Sequence, residues 1–338
     1  MRIGVLGLHH DHVWGNLDEL NALRPGSIVA AVDPHSSLRE KVQSLYGCKV
    51  YEDYEELLNR EQLTAVYIFA GNRSGAELAV TALNRGLHVL IEKPMAADLS
   101  GAVAMNEAAT ANGRLLMVNW PFAWWPQLQT ALHLAKQGDI GRLWQVKYRA
   151  AHQGPRELGC SDFFCEWLFD ENQNGAGALM DYCCYGAVMA DVLLGTPESV
   201  QGMQGNLCKR ELPVEDNALL MMRYPHAMAT SEASWTQVGK LSSYTTTIYG
   251  TEGTLVVEPR QGGRLFKATE ELQEGIELPV NPSPTELQSA SAHFLWAIES
   301  GGDLFSLCDP VHGRNAQAIL EAGIQATRER REVDVLKS

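Results

Sequence analysis

Along the first 120 residues, short apolar runs alternate with segments of helical period. The runs lie at 3–6, 28–32, 65–69, 88–91 and 115–118, and the amphipathic segments between them include 38–45, 77–84 and 102–111. A run that is short and apolar throughout fits a strand buried on both faces, and a helical-period segment between two such strands fits a crossover. Right-handed crossovers in succession make a doubly wound parallel sheet. Residues 1–120 are therefore expected to form a Rossmann domain.

Beyond Pro126 the pattern changes. A helical segment at 128–136 leads through Gly138 and Gly141 to a strand-like run at 143–151, and a polar loop then precedes a helix at 177–194 closed by Gly195 and Pro197. From 199 to 267, strand follows strand: 217–224, 228–237, 243–249 and 254–258, separated by Pro225-His226, Gly239 and residues 251–253. Those separators are turn chemistry, so an antiparallel sheet is expected. Helical segments at 286–299 and 313–328 complete the chain. The fold class is α/β: a Rossmann domain at 1–120 and a C-terminal α/β domain at 121–338 on a mainly antiparallel open sheet.

Composition narrows the partners. A chain of 338 residues with 45% hydrophobic and 20% charged residues supports two packed cores. Its net charge of -14 argues against nucleic acid and against an anionic membrane surface. No apolar run approaches the roughly 20 residues of a spanning helix. The chain opens directly into Arg2-Ile3-Gly4-Val5-Leu6, with no room for a signal peptide, and a cytoplasmic location is expected. The scattered cysteines (Cys48, Cys160, Cys165, Cys183, Cys184, Cys208 and Cys308) read as reduced, mostly buried thiols. No second close pair joins Cys160 and Cys165 to complete a zinc site.

In an open parallel sheet, ligands bind beyond the carboxyl ends of the strands. Those ends read Gly7-Leu8-His9-His10, Asp33-Pro34, Ala70-Gly71-Asn72, Glu92-Lys93-Pro94 and Asn119-Trp120. A dinucleotide fingerprint has three glycines, G-x-G-x-x-G; here Gly7 holds the first place and His9 and His12 the others. The run of His9, His10, Asp11 and His12 is not read as a metal site, because consecutive residues rarely converge on one ion. Asp33 ends the second strand about 20 residues past the first turn, where an acid meets the adenosine ribose and repels a 2′-phosphate. NAD is therefore expected in preference to NADP, with a helix cap as the alternative role for Asp33. Lys93 at the rim can bond a substrate hydroxyl, and Pro94 shapes the turn after it, a cis bond being one way to do so.

Four motifs in order resemble the glucose-fructose oxidoreductase / inositol 2-dehydrogenase (Gfo/Idh/MocA) family. They are Ala70-Gly71-Asn72 with residues 86–96 around Glu92-Lys93-Pro94, then Gly138-Asp139-Ile140-Gly141, then residues 175–181, and finally residues 248–255. The resemblance implies an NAD-dependent oxidoreductase acting on a carbinol of a sugar, cyclitol or related polyol. It implies a catalytic Lys93, and a second domain whose open sheet forms a subunit interface, giving a homodimer or homotetramer. The family's D-x-x-x-H helix reads here Asp181-Tyr182-Cys183-Cys184-Tyr185, which resembles the branch with tyrosine as acid/base. Asp181 and Tyr185, four apart, share a helix face. An ammonium such as Lys93 nearby is expected to lower the phenol's pKa. The cofactor set is thus Gly7, His9, His10, Asp33, Asn72, Glu92, Lys93 and Asn119, and the catalytic set Lys93, Asp181 and Tyr185. Trp120, with an aromatic face suited to a sugar ring, and His152, Arg156 and Trp167 are further candidates for substrate contact. A glycosidase using tightly held NAD, or a non-catalytic sugar- or dinucleotide-binding regulator, are the alternatives; the second draws on the glycine-poor first turn.

Overall fold

The computed structural model describes residues 1–258 and 263–336. By packing, the chain forms two compact units, the first made of 1–119, 159–175 and 285–314, the second of 120–158, 176–284 and 315–338. The expected boundary near residue 120 is the first of several crossings of the chain between the units.

The first unit is built on six parallel strands, β1 (Ile3–Leu6), β2 (Ile28–Val32), β3 (Lys49–Tyr51), β4 (Ala65–Ile68), β5 (His88–Glu92) and β6 (Leu116–Asn119), in the order β3-β2-β1-β4-β5-β6. This is the doubly wound Rossmann order, and the topological switch lies between β1 and β4. Every residue of β1, β4 and β6 is buried, as continuous apolar runs require. The short β3 and the helix Tyr54–Arg60, whose cap Asp53 accepts the Glu56 N–H at 2.8 Å, carry too little periodicity to be read from sequence. Helix Ala290–Ser300 returns to this unit and places Phe294 edge-on against Tyr67, at 5.6 Å between centroids.

The stretch expected to be a loop before residue 177 holds two short helices, Asp162–Leu168 and Glu171–Asn174, capped by Ser161 and Asp170. It is fastened to the first unit by side chains. Ser161 donates to Asp11 through N–H (2.7 Å) and hydroxyl (2.6 Å), Asn72 Nδ2 donates to Asn174 Oδ1 (2.7 Å), and Arg73 Nε donates to the Asn172 carbonyl (2.6 Å).

The second unit contains β7 (Leu143–Ala151), β8 (Ser199–Gly205), β9 (Asn217–Arg223), β10 (Met228–Ser234), β11 (Thr245–Gly250), β12 (Thr254–Val257), β13 (Leu265–Ala268), β14 (Ile276–Leu278) and β15 (Val333–Asp334), ordered β14-β13-β12-β11-β7-β10-β9-β8-β15. All pairs are antiparallel except β7 with β10, which run parallel from Gln145↔Met228 to Ala151↔Ser234. One face of the sheet is covered by a helical segment whose first turn, Leu179–Cys183, is a π-helix and whose remainder, Cys184–Leu194, is α-helical. A Cβ on Gly186 of that helix would strike Ser231 of β10, so only glycine permits the close approach. The stretch Glu171–Leu194 is long and apolar enough to span a membrane by length and composition, which the sequence reading did not anticipate; its apolar window is 83% buried here, as in the core helix of a globular unit. All seven cysteines lie among the described residues and none is in a disulfide.

Candidate active site

In the first unit the predicted rim is assembled at the carboxyl ends of the strands. Gly7 has φ +83°, and a Cβ there would meet the Ala70 backbone N at 2.8 Å, so the first glycine of the turn is required both by conformation and by space. His9 occupies the second glycine place and ties three strand ends together. Its Nε2 accepts the Gly71 N–H at 3.1 Å, so its Nδ1 carries the proton that is donated to Asp33 Oδ2 at 2.9 Å. The Trp167 Nε1–H donates to the His9 carbonyl at 3.3 Å. Trp167, expected to meet substrate from the second domain, is thus part of the first unit and covers its first turn.

Asp33 is fully buried. Burial works to raise its pKa, but hydrogen bonds from His9 and from the backbone N–H groups of His35 and Leu8 outweigh this and hold the carboxyl below its ordinary value. Asn72, the first residue of helix Asn72–Asn84, is buried, with its amide committed to Asn174.

Glu92, Lys93 and Asn119 are all buried. The Asn119 amide donates to Glu92 Oε1 and to Asn16 Oδ1 (3.2 Å), and Glu92 Oε2 accepts the Lys93 N–H and His12 Nδ1, each at 3.2 Å. The Lys93–Pro94 bond is cis. His10 Nε2 lies 3.8 Å from Glu92 Oε2. Burial drives the His10 pKa well below its ordinary value, and the charges of His12, Lys93 and His9 push it the same way. Contrary to the expectation that consecutive histidines diverge, His10 and His12 converge on Glu92, and His9 and His35 on Asp33, close enough for a metal ion. The hydrogen bonding favours protons instead. His10 Nδ1 accepts the His12 N–H (3.3 Å) and His9 Nε2 accepts the Gly71 N–H, which leaves the opposite nitrogen of each ring protonated toward a carboxylate.

In the second unit, Asp181 and Tyr185 project from the helical segment into an aromatic cage. Asp181 Oδ2 accepts the Trp235 indole N–H at 3.0 Å. Around Tyr185 stand Trp120 (5.4 Å between centroids), Phe122 (4.9 Å), Tyr148 (5.8 Å, stacked) and Tyr182 (5.8 Å, stacked). Burial raises the Tyr185 phenol well above its ordinary value, and Cys184, Tyr148, Tyr244 and Asp181 add to the effect. The expected lowering is reversed, because the cage withholds water from the phenolate. Trp120 is buried with its Nε1 lacking a hydrogen-bond partner among the described residues. His152 is buried against the Tyr182 ring at 5.0 Å, its Nδ1 accepting the Gly154 N–H at 2.8 Å. Arg156 lies exposed on the 3-10 turn Arg156–Leu158.

Residues 1–120 match an oxidoreductase family with an NAD-binding Rossmann fold, and residues 128–256 match the GFO/IDH/MocA C-terminal domain. The chain belongs to the Gfo/Idh/MocA oxidoreductases. It is 27% identical over 309 residues, 89% of each chain, to a dTDP-3,4-didehydro-2,6-dideoxy-alpha-D-glucose 3-reductase of Streptomyces antibioticus. It is 32% identical over 157 residues, 45% of each chain, to the NADP(+) scyllo-inositol 2-dehydrogenase of Bacillus subtilis. Among solved structures it resembles levoglucosan dehydrogenase in complex with NADH and levoglucosan, with TM-score 0.83, 21% identity and complete coverage of both chains.

As an oxidoreductase of this family, the chain has a Rossmann unit with the Gly7 turn, Asp33 and the Glu92-Lys93-Asn119 cluster at the carboxyl ends of its strands. The sequence reading passed over four residues. His35 reaches Asp33 Oδ1 at 2.7 Å, Tyr182 shares a 2.8 Å hydroxyl–hydroxyl bond with Tyr244, and Trp235 holds Asp181. Tyr182, beside Asp181 on the same segment, carried a local signal. Tyr244 and Trp235 carried none, since only the pairing of distant strands brings them there.

Proposed function

We propose that this oxidoreductase moves a hydride between NAD and a carbinol or keto carbon of a sugar, cyclitol or related polyol, with Lys93, Asp181 and Tyr185 as its catalytic residues. The observation that carries the reading is the buried Lys93 at the carboxyl end of β5, an ionisable group whose burial is costly. NAD, when bound, supplies the hydride acceptor or donor. Lys93 offers positive charge and hydrogen-bond donors to the substrate oxygen. Tyr185, kept protonated by its cage, is set as the proton donor when a carbonyl is reduced; in the oxidative direction its phenol must first give up that proton. Asp181, held by Trp235, keeps negative charge beside the tyrosine. Trp120, His152 and the Tyr182–Tyr244 pair supply the aromatic and polar lining of this part of the second unit.

The sugar-type substrate is supported by the names of the relatives and by that aromatic lining. A homodimer or homotetramer is proposed through the uncovered face of the large sheet, where Trp144, Met203, Met221 and Met228 are exposed by 39%, 72%, 42% and 51%. A cytoplasmic location, with neither nucleic acid nor membrane as partner, is proposed from the acidic charge and the thiols. The test is a spectrophotometric screen of NAD reduction, and of NADH oxidation by keto sugars, with Lys93→Met as control. Turnover on any polyol that survives Lys93→Met unchanged removes the lysine from the mechanism.

A further inference from the structure

The carboxylate expected to meet the adenosine ribose already holds four donors. Asp33 Oδ2 accepts the Leu8 N–H at 2.7 Å and His9 Nδ1 at 2.9 Å; Oδ1 accepts the His35 N–H at 2.9 Å and His35 Nδ1 at 2.7 Å. A carboxylate offers about four lone-pair sites in all. A ribose hydroxyl can bond Asp33 only if one donor leaves.

Three of the four are fastened. The Leu8 and His35 N–H groups are backbone, fixed by the strand end and by the turn into helix Ser36–Tyr46. His9 is gripped at both ring nitrogens, by Asp33 and by the Gly71 N–H, and its side chain is only 14% exposed. The His35 imidazole bonds Asp33 through Nδ1, is 38% exposed, and sits at the extended residue preceding the helix, where rotation about χ1 carries it into water. On its other side the Phe163 ring leans on it, with centroids 4.8 Å apart at 56°.

We propose that His35 sets cofactor affinity by competing with the adenosine ribose for Asp33 Oδ1, and that it swings out as NAD binds. The proposal rests on the NAD reading above. Phe163 retains the imidazole in place. The charged and titratable groups around it are Asp33 itself, His9 (6.1 Å between rings), Arg39, whose guanidinium donates to the Asp33 and Pro34 carbonyls at 2.7 and 2.8 Å, and the Tyr54 phenol, which feels the charge of Asp33.

The test is direct titration of NAD, and separately of ADP-ribose and nicotinamide mononucleotide, onto the full-length wild type, His35→Ala and Phe163→Ala, by calorimetry. Removing a partly exposed competitor at a charged acceptor should tighten NAD and ADP-ribose about three- to tenfold. Nicotinamide mononucleotide, which lacks the adenosine ribose, should be unaffected. Phe163→Ala should tighten NAD by a smaller factor, which keeps the idea testable if His35→Ala folds poorly by circular dichroism. NAD binding to His35→Ala that is equal to or weaker than wild type overturns the proposal. Absence of NAD and NADP binding in every protein would overturn the cofactor reading itself.

Discussion

Glu215 anchors the start of the segment that carries Asp181 and Tyr185. Its Oε1 accepts the Gly177 N–H at 2.8 Å and the Leu179 N–H at 2.9 Å, and its carbonyl accepts the Ala178 N–H at 3.0 Å. The side chain is buried, and a Cβ on Gly177 would come within 3.0 Å of its carboxyl carbon. Helix N-termini leave N–H groups without intrahelical partners and favour negative charge, so one carboxylate meets both needs. Glu215→Ala strips acceptors from two buried donors. Hydrogen bonds to a charged group are worth about 1.5–3 kcal/mol each and the helix-end charge about 0.3–1 kcal/mol more, so the loss should be about 3–7 kcal/mol. Against a whole-fold stability of about 5–15 kcal/mol this is severe. Glu215→Gln keeps one acceptor oxygen and should lose about 1–2 kcal/mol. At about 2–4 °C per kcal/mol for a unit of this size, Glu215→Ala should melt at least about 7 °C below wild type. Turnover should fall further than the folded fraction does, because Asp181 and Tyr185 lose their reference point. Thermal melts and urea midpoints, paired with turnover measured well below the melting point, check both. A Glu215→Ala protein melting within about 2 °C of wild type would refute the reasoning, since two unpaired buried amides cannot be that cheap.

Tyr185→Phe should cut turnover by about 10²–10⁴-fold while NAD binding is retained, and combining it with Lys93→Met should cost far less than the product of the two single losses; steady-state kinetics with cofactor titration decides. Because the Tyr185 pKa is raised, the oxidative rate should climb with pH across the neutral and alkaline range while the reductive rate does not, and parallel profiles in both directions would contradict this. The His10 pKa is lowered in the fold, so stability from keeping it neutral is complete above its unfolded value of about 6.5 and is lost as pH falls from there toward the folded value. His10→Gln should flatten that part of the stability–pH curve, as read from urea midpoints. Light scattering at micromolar concentration should find a dimer or tetramer, and Met221→Glu with Met228→Glu should shift it toward monomer.

Five of the six strands of the first unit, and the doubly wound class of its sheet, were legible before any coordinates, because β1, β2, β4, β5 and β6 are largely buried and leave unbroken apolar runs. Gly7 and Glu92-Lys93-Pro94 were legible as well, since a tight turn and a charged strand end are local demands on one residue each. The return of 159–175 and 285–314 to the first unit was not, because their fastening by Ser161, Asn174 and Phe294 depends on partners more than a hundred residues away. The parallel β7–β10 pair in an otherwise antiparallel sheet has the same origin: alternation reveals a strand's buried face and says nothing of its neighbour's direction. Ionisation states lay furthest from the sequence. The spacing of Asp181 and Tyr185 marks a shared helix face, while the rise of the Tyr185 pKa comes from rings on separate segments that exclude water. Likewise the position of Asp33 can be read along the chain, but the occupation of its oxygens by His9 and His35 exists only once the strand ends meet. Local sequence determines which chemical group stands at a strand end; the three-dimensional meeting of distant segments decides what solvates, neutralises or blocks it.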